Sequence, residues 1–599
     1  MANELIVSSD RERSSQVEVD PVTLQVIANA LGAIADEMAT TIFRTAHSTV
    51  VRDSMDFSAS VCNHRGEQVA QAVSVPFHLG SVPTAMKTLL EHYGDELRPG
   101  DVFTMNDPFD GGMHTPDIYV FKPVFHKDEL VGFATTTAHH ADVGGRAPGT
   151  AVCDNTEIFQ EGFRFPWIRL CREDAPVEDI VKIFRTNVRI PGMTLGDIWA
   201  QVAACSVAEQ GLIELSERYG IELLRSAMSA LIDYTELLVR QELASWPDGS
   251  ASYVDYLDSD GIDVKDVPIR VTVTISGDEI TADFSDCSPM VRGALNCTES
   301  FVKAAVYQAV RAALTVDLPN TEGASRPINV ITRPGTIANV VMPAASGMRG
   351  VTGFRMFDAV NGALAQLIPN RIPAAGEGGN TLAIFSGKNV DSNSYIFYEL
   401  VCGTWGGNPL HDGNDGLSNP SATAANVPVE VVEAMFPVVV ERYRLVPDSG
   451  GAGEHRGGLA IERAWRCLAP EAGLNIRSDR QVHAPYGLAG GRPGRTSANT
   501  VIRRDGKTEG LPPMCTTTIY KGDSYCHRTA GGGGWGDPLS RHVDAVARDV
   551  RAGKVSVEAA RDLYGVVVSD EGDVDAERTD SLRKQIRPLP DDHRGGHGD

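Results

Sequence analysis

Apolar residues near the start of the chain recur at the spacing of a single helix face. The series consists of Leu24, Ile27, Leu31, Ile34, Met38 and Ile42. Asp20 and Pro21 stand directly before it, and an aspartate followed by proline is typical of a helix N-cap and first helical position. We therefore predict a helix that begins at Pro21, preceded by a disordered segment at residues 1–19.

Alternating apolar and polar residues predict strands after this helix. Residues 56–62 alternate, and the turn-forming residues 63–66 predict a hairpin to 68–75. Between 101 and 140, the short strand-like runs DVFTM, IYVFKPVF and LVGFATTTAHH are separated by polar loops. Residues 196–245 then have a helical pattern. The predicted core positions of that stretch are Ile213, Leu223, Leu224, Met228, Leu231 and Leu237.

Turn-forming, acidic and glycine-rich stretches predict the boundaries between domains. The turn at 247–250 and the acidic residues up to Asp266 indicate a boundary, followed by a hairpin of 269–275 with 279–284 and a helix over 299–315. Glycine becomes dense beyond 400, which predicts an irregular region rich in β-structure, and 543–565 has a helical pattern.

The predicted fold class is α/β (mixed α+β) and multi-domain, with mixed sheets, flanking helices and a glycine-rich, β-dominated C-terminal region. We expect an α/β domain with a metal site at 20–247 and a central α/β domain at 248–400. A glycine-rich β region with C-terminal helices would follow at 401–568, and a disordered tail at 569–599.

Charge and hydropathy exclude several classes of partner. The formal net charge of −25 over 599 residues disfavours nucleic acid and anionic membrane surfaces, which would repel the protein. No uncharged apolar run reaches the length of a membrane span, and the first residues lack the pattern of a signal peptide. We therefore expect neither a nucleic-acid nor a membrane partner.

The ten cysteines form no C-x-x-C pair, so neither a zinc ribbon nor a thioredoxin-type motif is indicated. Reduced, mostly buried thiols in a cytoplasmic protein are the preferred interpretation. Cys402, which stands beside Gly403, is either a nucleophile or a buried thiol. The second is favoured because no base partner is recognisable.

The glycine strings allow two interpretations as well. AGGGGWGDP lacks the G-K-[ST] that contacts phosphate and magnesium, so tight turns and close backbone approach explain it better than a phosphate loop. Arg456 lies within the string DSGGAGEHRGG, and Arg477 and Arg480 lie between it and YGLAGGRPG. They either bind an anion or a partner, or form ion pairs, and the ion pair is favoured for each.

Histidine and aspartate concentrate in the segments NDPFDGGMHTPD and TTTAHHADVGG, about one strand-turn-strand apart. His114 and Asp117 precede one strand and His139 and His140 end the next, so these side chains can enter one coordination sphere; Asp56 opens a third strand. Imidazole and carboxylate ligands suit zinc, manganese or iron, and a set that leaves room for water suits hydrolysis. Turn formation by the aspartates and a buried hydrogen bond of His114 are the alternative.

Seven strings in one order resemble the hydantoinase B/oxoprolinase family, which includes the B-like subunits of acetone and acetophenone carboxylases. The strings are NDPFDGGMHTPD, AHHADVGG, QEGFRFP, DFSDCSPMVRGALN, RYRLVPDSGGAGEHRGGLA, SDRQVHAPYGLAGGRPG and AGGGGWGDPLSR, and the resemblance runs from about residue 20 to 568. It implies a separate or fused A-type subunit that holds ATP and magnesium, within a hetero-oligomer.

The resemblance also implies a set of ligands for one divalent metal ion. They are Asp56, His114, Asp117 and His139. Family patterns often have glutamate where this chain has Asp53, so the part of Asp53 is left open. His140 and Asp142 are better suited to orienting a ligand or transferring a proton, because a ligating imidazole needs a partner on its other nitrogen.

The function that the resemblance implies is ATP-dependent hydrolysis of a cyclic amide such as a hydantoin, lactam or imide. The partner would phosphorylate the ring carbonyl, and a metal-bound water held by this chain would attack it. One alternative is a B-like subunit of a ketone carboxylase, disfavoured because no extra cysteine-rich insertion is present. Another is a non-catalytic scaffold for the A subunit, which would not need the ligand set.

Overall fold

The computed structural model describes residues 19–150, 152–378, 381–389, 392–401, 403–422 and 424–586. Within these ranges the helices are α1 (Pro21–Thr45), α2 (Thr49–Arg52), α3 (Pro76–Tyr93), α4 (Glu178–Asn187), α5 (Pro191–Tyr219), α6 (Ile221–Leu243), α7 (Glu299–Ala313), α8 (Arg349–Leu367), α9 (Val429–Met435), α10 (Val543–Arg551), α11 (Val557–Tyr564) and α12 (Ala576–Ile586).

The strands of the N-terminal half are β1 (Phe57–Asn63), β2 (Gln68–Gln71), β3 (Val102–Met105), β4 (Asp117–His126), β5 (Glu129–His139), β6 (Ile168–Arg172), β7 (Ala175–Pro176), β8 (Gly249–Ser259), β9 (Lys265–Ser276) and β10 (Glu279–Asp283). Those that follow are β11 (Ile328–Ile331), β12 (Thr381–Lys388), β13 (Ser394–Val401), β14 (Val438–Leu445), β15 (Ile461–Cys467), β16 (Glu471–Arg477), β17 (Ala498–Ile502), β18 (Thr508–Leu511), β19 (Met514–Tyr520) and β20 (Ser524–Arg528).

The first sheet has the strand order β2-β1-β5-β4-β3-β6-β7 and lies between two helical layers. Helices α1 and α5 cover one face, and α3, which packs against α7, lies on the other. Asp20 caps α1 as predicted, because its carboxylate accepts the backbone N–H groups of Val22 and Thr23. The mixed α/β architecture that the sequence predicts is confirmed.

Helix α1 is long and apolar enough to cross a membrane by length and composition. In the structure Leu31, Met38 and Ile42 of this helix are buried against the first sheet and its helices. This packing is that of a core helix in a folded domain.

The second sheet, β11-β10-β9-β8, packs on helix α8, whose residues 349–364 are all buried. Residues 249–259, part of the segment that the composition marks as a domain boundary, form the edge strand β8 of this sheet. The domain limit at 247/248 stays a prediction. The polar residues at its start face solvent, where Ser250 and Ser252 hydrogen-bond the hydroxyls of Thr274 and Thr272. A half-exposed edge strand carries the same polar composition as a linker.

The third sheet, β13-β12-β16-β19, and the fourth, β14-β15-β20-β17-β18, form the C-terminal part. Strand β12, which precedes the predicted boundary at 400, pairs along its length with β16 of the glycine-rich region. The domain limit at 400/401 stays a prediction. The glycine strings allow backbone segments to approach closely, as predicted. A Cβ on Gly457 would clash with the carbonyl oxygen of Gly532.

Three further predictions need correction or fall outside the described residues. Residues 576–586 of the predicted disordered tail form α12, where the buried Thr579 hydroxyl accepts the Val567 N–H. Leu237, a predicted core residue, is 50% exposed. Cys402 lies outside the described residues, whereas most of the described cysteines are buried as predicted; the cytoplasmic location stays a prediction.

Candidate metal centre

Three neighbouring strands of the first sheet bring the site together at one edge. Strand β4 begins at Asp117, directly opposite His139 at the end of β5 in the antiparallel register. Strand β1 lies on the other side of β5, where the His139 N–H donates to the carbonyl oxygen of Asp56 at 2.9 Å. Because antiparallel neighbours place paired residues side by side, residues far apart in sequence meet here.

His114, Asp117 and His139 form a buried group whose ligand atoms all lie within 4.8 Å of one another. His114 and Asp117 are wholly buried, and His139 is 5% exposed. The Nε2 atom of His114 lies 3.0 Å from Oδ1 of Asp117, and the two imidazole rings are 5.0 Å apart. Three of the four predicted ligands therefore converge.

Hydrogen bonding prepares His114 to ligate. Its Nδ1 lies 3.1 Å from the carbonyl oxygen of Gly347, which can only accept, so Nδ1 carries the proton and Nε2 presents a lone pair. Glu161 holds that carbonyl in place by accepting the N–H groups of Ser346 and Gly347 at 3.0 and 2.7 Å. Burial lowers the pKa of His114 to about 4, so the ring is neutral at pH 7.

The surroundings of Asp117 and His139 also favour the protonation states that bind a metal ion. Burial alone would raise the pKa of Asp117, but His114 and Arg349 hold it well below its ordinary value. Arg349 donates to Asp117 Oδ2 at 2.6 Å, which leaves Oδ1 on the side of the imidazoles. Burial holds the pKa of His139 well below its usual range, and Tyr398 lies 3.2 Å from its Nε2.

The donor atoms that face one another fit a divalent cation. Among the described residues, His114 Nε2, Asp117 Oδ1 and His139 Nδ1 are buried and have no hydrogen-bond partner outside this group. Leaving three such atoms unsatisfied costs free energy, which a bound cation would recover. Two neutral imidazoles and one ionised carboxylate suit zinc, manganese or iron.

A cavity of about 40 Å³ opens beside this group. Its polar lining comes from Asp56, His78, His139, Arg349, Tyr398 and Arg477. Phe77, Phe301, Phe354 and Leu400 contribute an apolar wall. The cavity therefore combines a polar floor with an apolar side.

Asp56 lines this cavity but lies outside the group of three. His78 stands between the two carboxylates, with Nε2 at 3.6 Å from Oδ1 of Asp56 and at 3.6 Å from Oδ1 of Asp117. Burial raises the pKa of Asp56 above its ordinary value. The structure thus places a histidine that the sequence did not single out next to Asp56 and Asp117.

His140 and Asp142, the predicted proton-transfer residues, do not line the cavity. Successive residues of a strand point to opposite faces, so His140 turns towards α5, where Nε2 lies 3.1 Å from Gln201 Oε1. The Asp142 carboxylate accepts hydrogen bonds from the Arg189 guanidinium, at 2.8 Å, and from the backbone N–H groups of Gly144 and Gly149. Their part in proton transfer stays a prediction.

Asp53 pairs with the neighbouring Arg52 at 2.7 Å and is not among the residues that line the cavity.

We expect Asp142→Asn to weaken the fold and to leave turnover within about threefold. The buried carboxylate accepts four N–H groups, and an amide cannot accept them all, at a cost of about 1–3 kcal/mol. Thermal unfolding and steady-state kinetics measure the two effects. Asp128→Asn, in an exposed turn, is the control and should change neither. A fall of about 10²-fold in turnover at unchanged stability would instead assign Asp142 to proton transfer.

The sequence does not predict four polar residues as part of the site. His78 lies in the first turn of α3 among apolar residues, and Tyr398 lies within the buried strand β13. Arg349 begins α8 and Arg477 ends β16. Each of them reaches the site through tertiary packing. Only Arg477 is a candidate from the sequence, as one of three arginines within or between the glycine strings.

Comparisons with known proteins identify the family of this chain. A family model described as hydantoinase B/oxoprolinase matches residues 20–538. The caprolactamase subunit beta of Pseudomonas jessenii is 33% identical over 579 residues, which cover 94% of this chain and 99% of that protein.

Two solved structures share the fold. The ATP-dependent caprolactamase of Pseudomonas jessenii superposes with a TM-score of 0.88 at 32% identity and covers 95% of this chain and 100% of that one. A nucleotide-free structure of acetone carboxylase also has a TM-score of 0.88, covering 95% of this chain and 83% of that one, but at 20% identity it shows the fold alone.

Proposed function

Because this chain belongs to the hydantoinase B/oxoprolinase family, we propose that it is the metal-binding subunit of an ATP-dependent cyclic-amide hydrolase. The observation that carries the proposal is the convergence of His114, Asp117 and His139, with three donor atoms buried and directed at one another. A scaffold that only stabilised a partner would gain nothing from burying them without hydrogen bonds.

Each of these three residues would offer one atom to the ion. His114 would bind through Nε2 and His139 through Nδ1, because the other nitrogen of each ring already faces Gly347 or Tyr398. Asp117 would bind through Oδ1, since Oδ2 is engaged by Arg349. When bound, a divalent cation polarises a carbonyl group and makes a water molecule more acidic.

The remaining residues of the cavity would handle the proton and exclude water. His78 lies within reach of both carboxylates and lines the cavity, so it is the group placed to take a proton from an attacking water and pass it towards Asp56. Phe77, Phe301 and Phe354 would shield the ring of the substrate from bulk solvent.

ATP would be used by a separate A-type subunit, with which this chain would form a hetero-oligomer. The caprolactamase relative is named as subunit beta and its solved structure as ATP-dependent, which supports a two-subunit enzyme. The ketone carboxylase alternative has weaker support, because its structural relative is 20% identical.

The test is an assay of this chain purified together with its A-type partner. We expect ATP consumption that depends on a cyclic amide (caprolactam, hydantoin or 5-oxoproline) and yields the ring-opened acid. Stoichiometric metal in the chain, measured by inductively coupled plasma mass spectrometry, should accompany it. Consumption of ATP only with bicarbonate and a ketone would assign the complex to the carboxylases instead.

A further inference from the structure

Two buried arginines share the cavity with the group of three. Arg477 is 2% exposed and Arg349 is 5% exposed, and both line the cavity together with Tyr398. We propose that they form an oxyanion site that receives the phosphoryl group of an activated ring amide beside the metal.

The positions of the two guanidinium groups suit such a ligand. Arg349 is oriented from two sides, since its Nη2 donates to Asp117 Oδ2 at 2.6 Å and its guanidinium carbon lies 4.5 Å from the centre of the Phe301 ring. Its Nε is buried without a hydrogen bond to any described residue. Arg477 approaches from the end of β16 and lines the cavity, and one of its contacts is that of its Nη1 with the Met348 sulfur at 3.6 Å.

Like charges in one buried cavity repel each other. Burial lowers the pKa of Arg477, and the charge of Arg349 acts in the same direction. A protein interior tolerates such a pair when anions lie beside the two groups, and Asp117, at 2.6 Å from Arg349, and Asp56 of the same cavity are two of them. Planar guanidinium groups also match the geometry of phosphoryl oxygens, to which they donate two parallel hydrogen bonds.

The balance of formal charge indicates a dianion. In the cavity and the adjacent group of three, the carboxylates of Asp56 and Asp117 offset the guanidinium groups of Arg349 and Arg477. A divalent cation would therefore leave an excess of two positive charges, which a phosphoryl dianion neutralises and a singly charged carboxylate does not. This step rests on the proposed function, because it presupposes the cation.

The size of the cavity agrees with a small oxyanionic group. Its volume of about 40 Å³ holds roughly three water-sized groups, at about 10–15 Å³ for each.

Isothermal titration of inorganic phosphate into the metal-loaded chain tests the site. We expect the wild type to bind phosphate, Arg477→Gln to weaken that binding about 10- to 100-fold, and Arg477→Lys to retain most of it. Metal content should be unchanged in both variants. Arg466→Gln removes a half-exposed guanidinium outside the cavity and should bind phosphate as the wild type does.

A second measurement needs no variant. In the wild type loaded with Mn²⁺, the ³¹P signal of phosphate should relax faster than in the Zn²⁺-loaded protein, because the anion would lie beside the ion. Wild type that binds metal stoichiometrically but shows no phosphate binding, or binds bicarbonate instead of phosphate, overturns the inference. Phosphate affinity that is equal in Arg477→Gln and wild type does so as well. In each of these cases the metal content leaves the proposed function standing.

Discussion

His114→Ala should abolish stoichiometric metal binding and lower turnover by about 10³-fold or more, because several kcal/mol of transition-state stabilisation would be lost with the ion. His114 is wholly buried and supplies the Nε2 atom that faces Asp117 and His139. Metal analysis of the purified variant, followed by the ring-opening assay with the A-type partner, measures both effects.

The fold and the partner interface should survive this substitution. The Asp117–Arg349 pair and the Glu161 contacts that shape the neighbouring loop do not involve the imidazole. His542→Ala, which removes a side chain that is 79% exposed, is the matched control and should keep full metal content. Full metal content in His114→Ala would show that His114 is not a ligand.

His78→Gln should keep the metal and lose about 10²- to 10⁴-fold in turnover, the range of a missing general base or acid. His78 lies at 3.6 Å from both Asp56 and Asp117, outside the three donor atoms that face one another. Metal content and the pH dependence of turnover, measured on the same preparation, separate a proton-transfer role from a structural one.

Helix α3 offers a closely matched control for this variant. His92 lies in its last turn and stands 3.6 Å from Asp110, so His92→Gln removes a similar histidine–aspartate contact away from the cavity. We expect turnover and metal content of His92→Gln to equal those of the wild type. Loss of metal in His78→Gln would make His78 a ligand, and unchanged turnover would exclude it from proton transfer.

The sequence predicts those site residues that lie close together along the chain, at the ends of neighbouring strands. His114, Asp117 and His139 are joined by one hairpin, whose alternating pattern predicts that β4 and β5 pair and that their ends meet. Asp56 is predicted near these residues because it begins the predicted strand 56–62, and the corresponding strand β1 pairs with β5 in the sheet.

The rest depends on packing between distant elements. Helix α8 is buried over 349–364, so it lacks the polar face that marks an amphipathic helix, and the sequence did not reveal that Arg349 reaches Asp117. Strand β8 carries polar residues because it is a half-exposed edge, and its composition resembled a linker. His140 was predicted near the site from adjacency in sequence, whereas the alternation of a strand turns it away.

Anomalous diffraction from crystals of the zinc-loaded chain tests the central claim most directly. The account predicts one strong anomalous peak, from a zinc ion bound by His114 Nε2, Asp117 Oδ1 and His139 Nδ1. The peak should lie about 2.0–2.2 Å from each of these atoms, the length of zinc–imidazole and zinc–carboxylate bonds. A chain that binds no zinc, or that binds it elsewhere while these three side chains remain packed without it, would contradict the account.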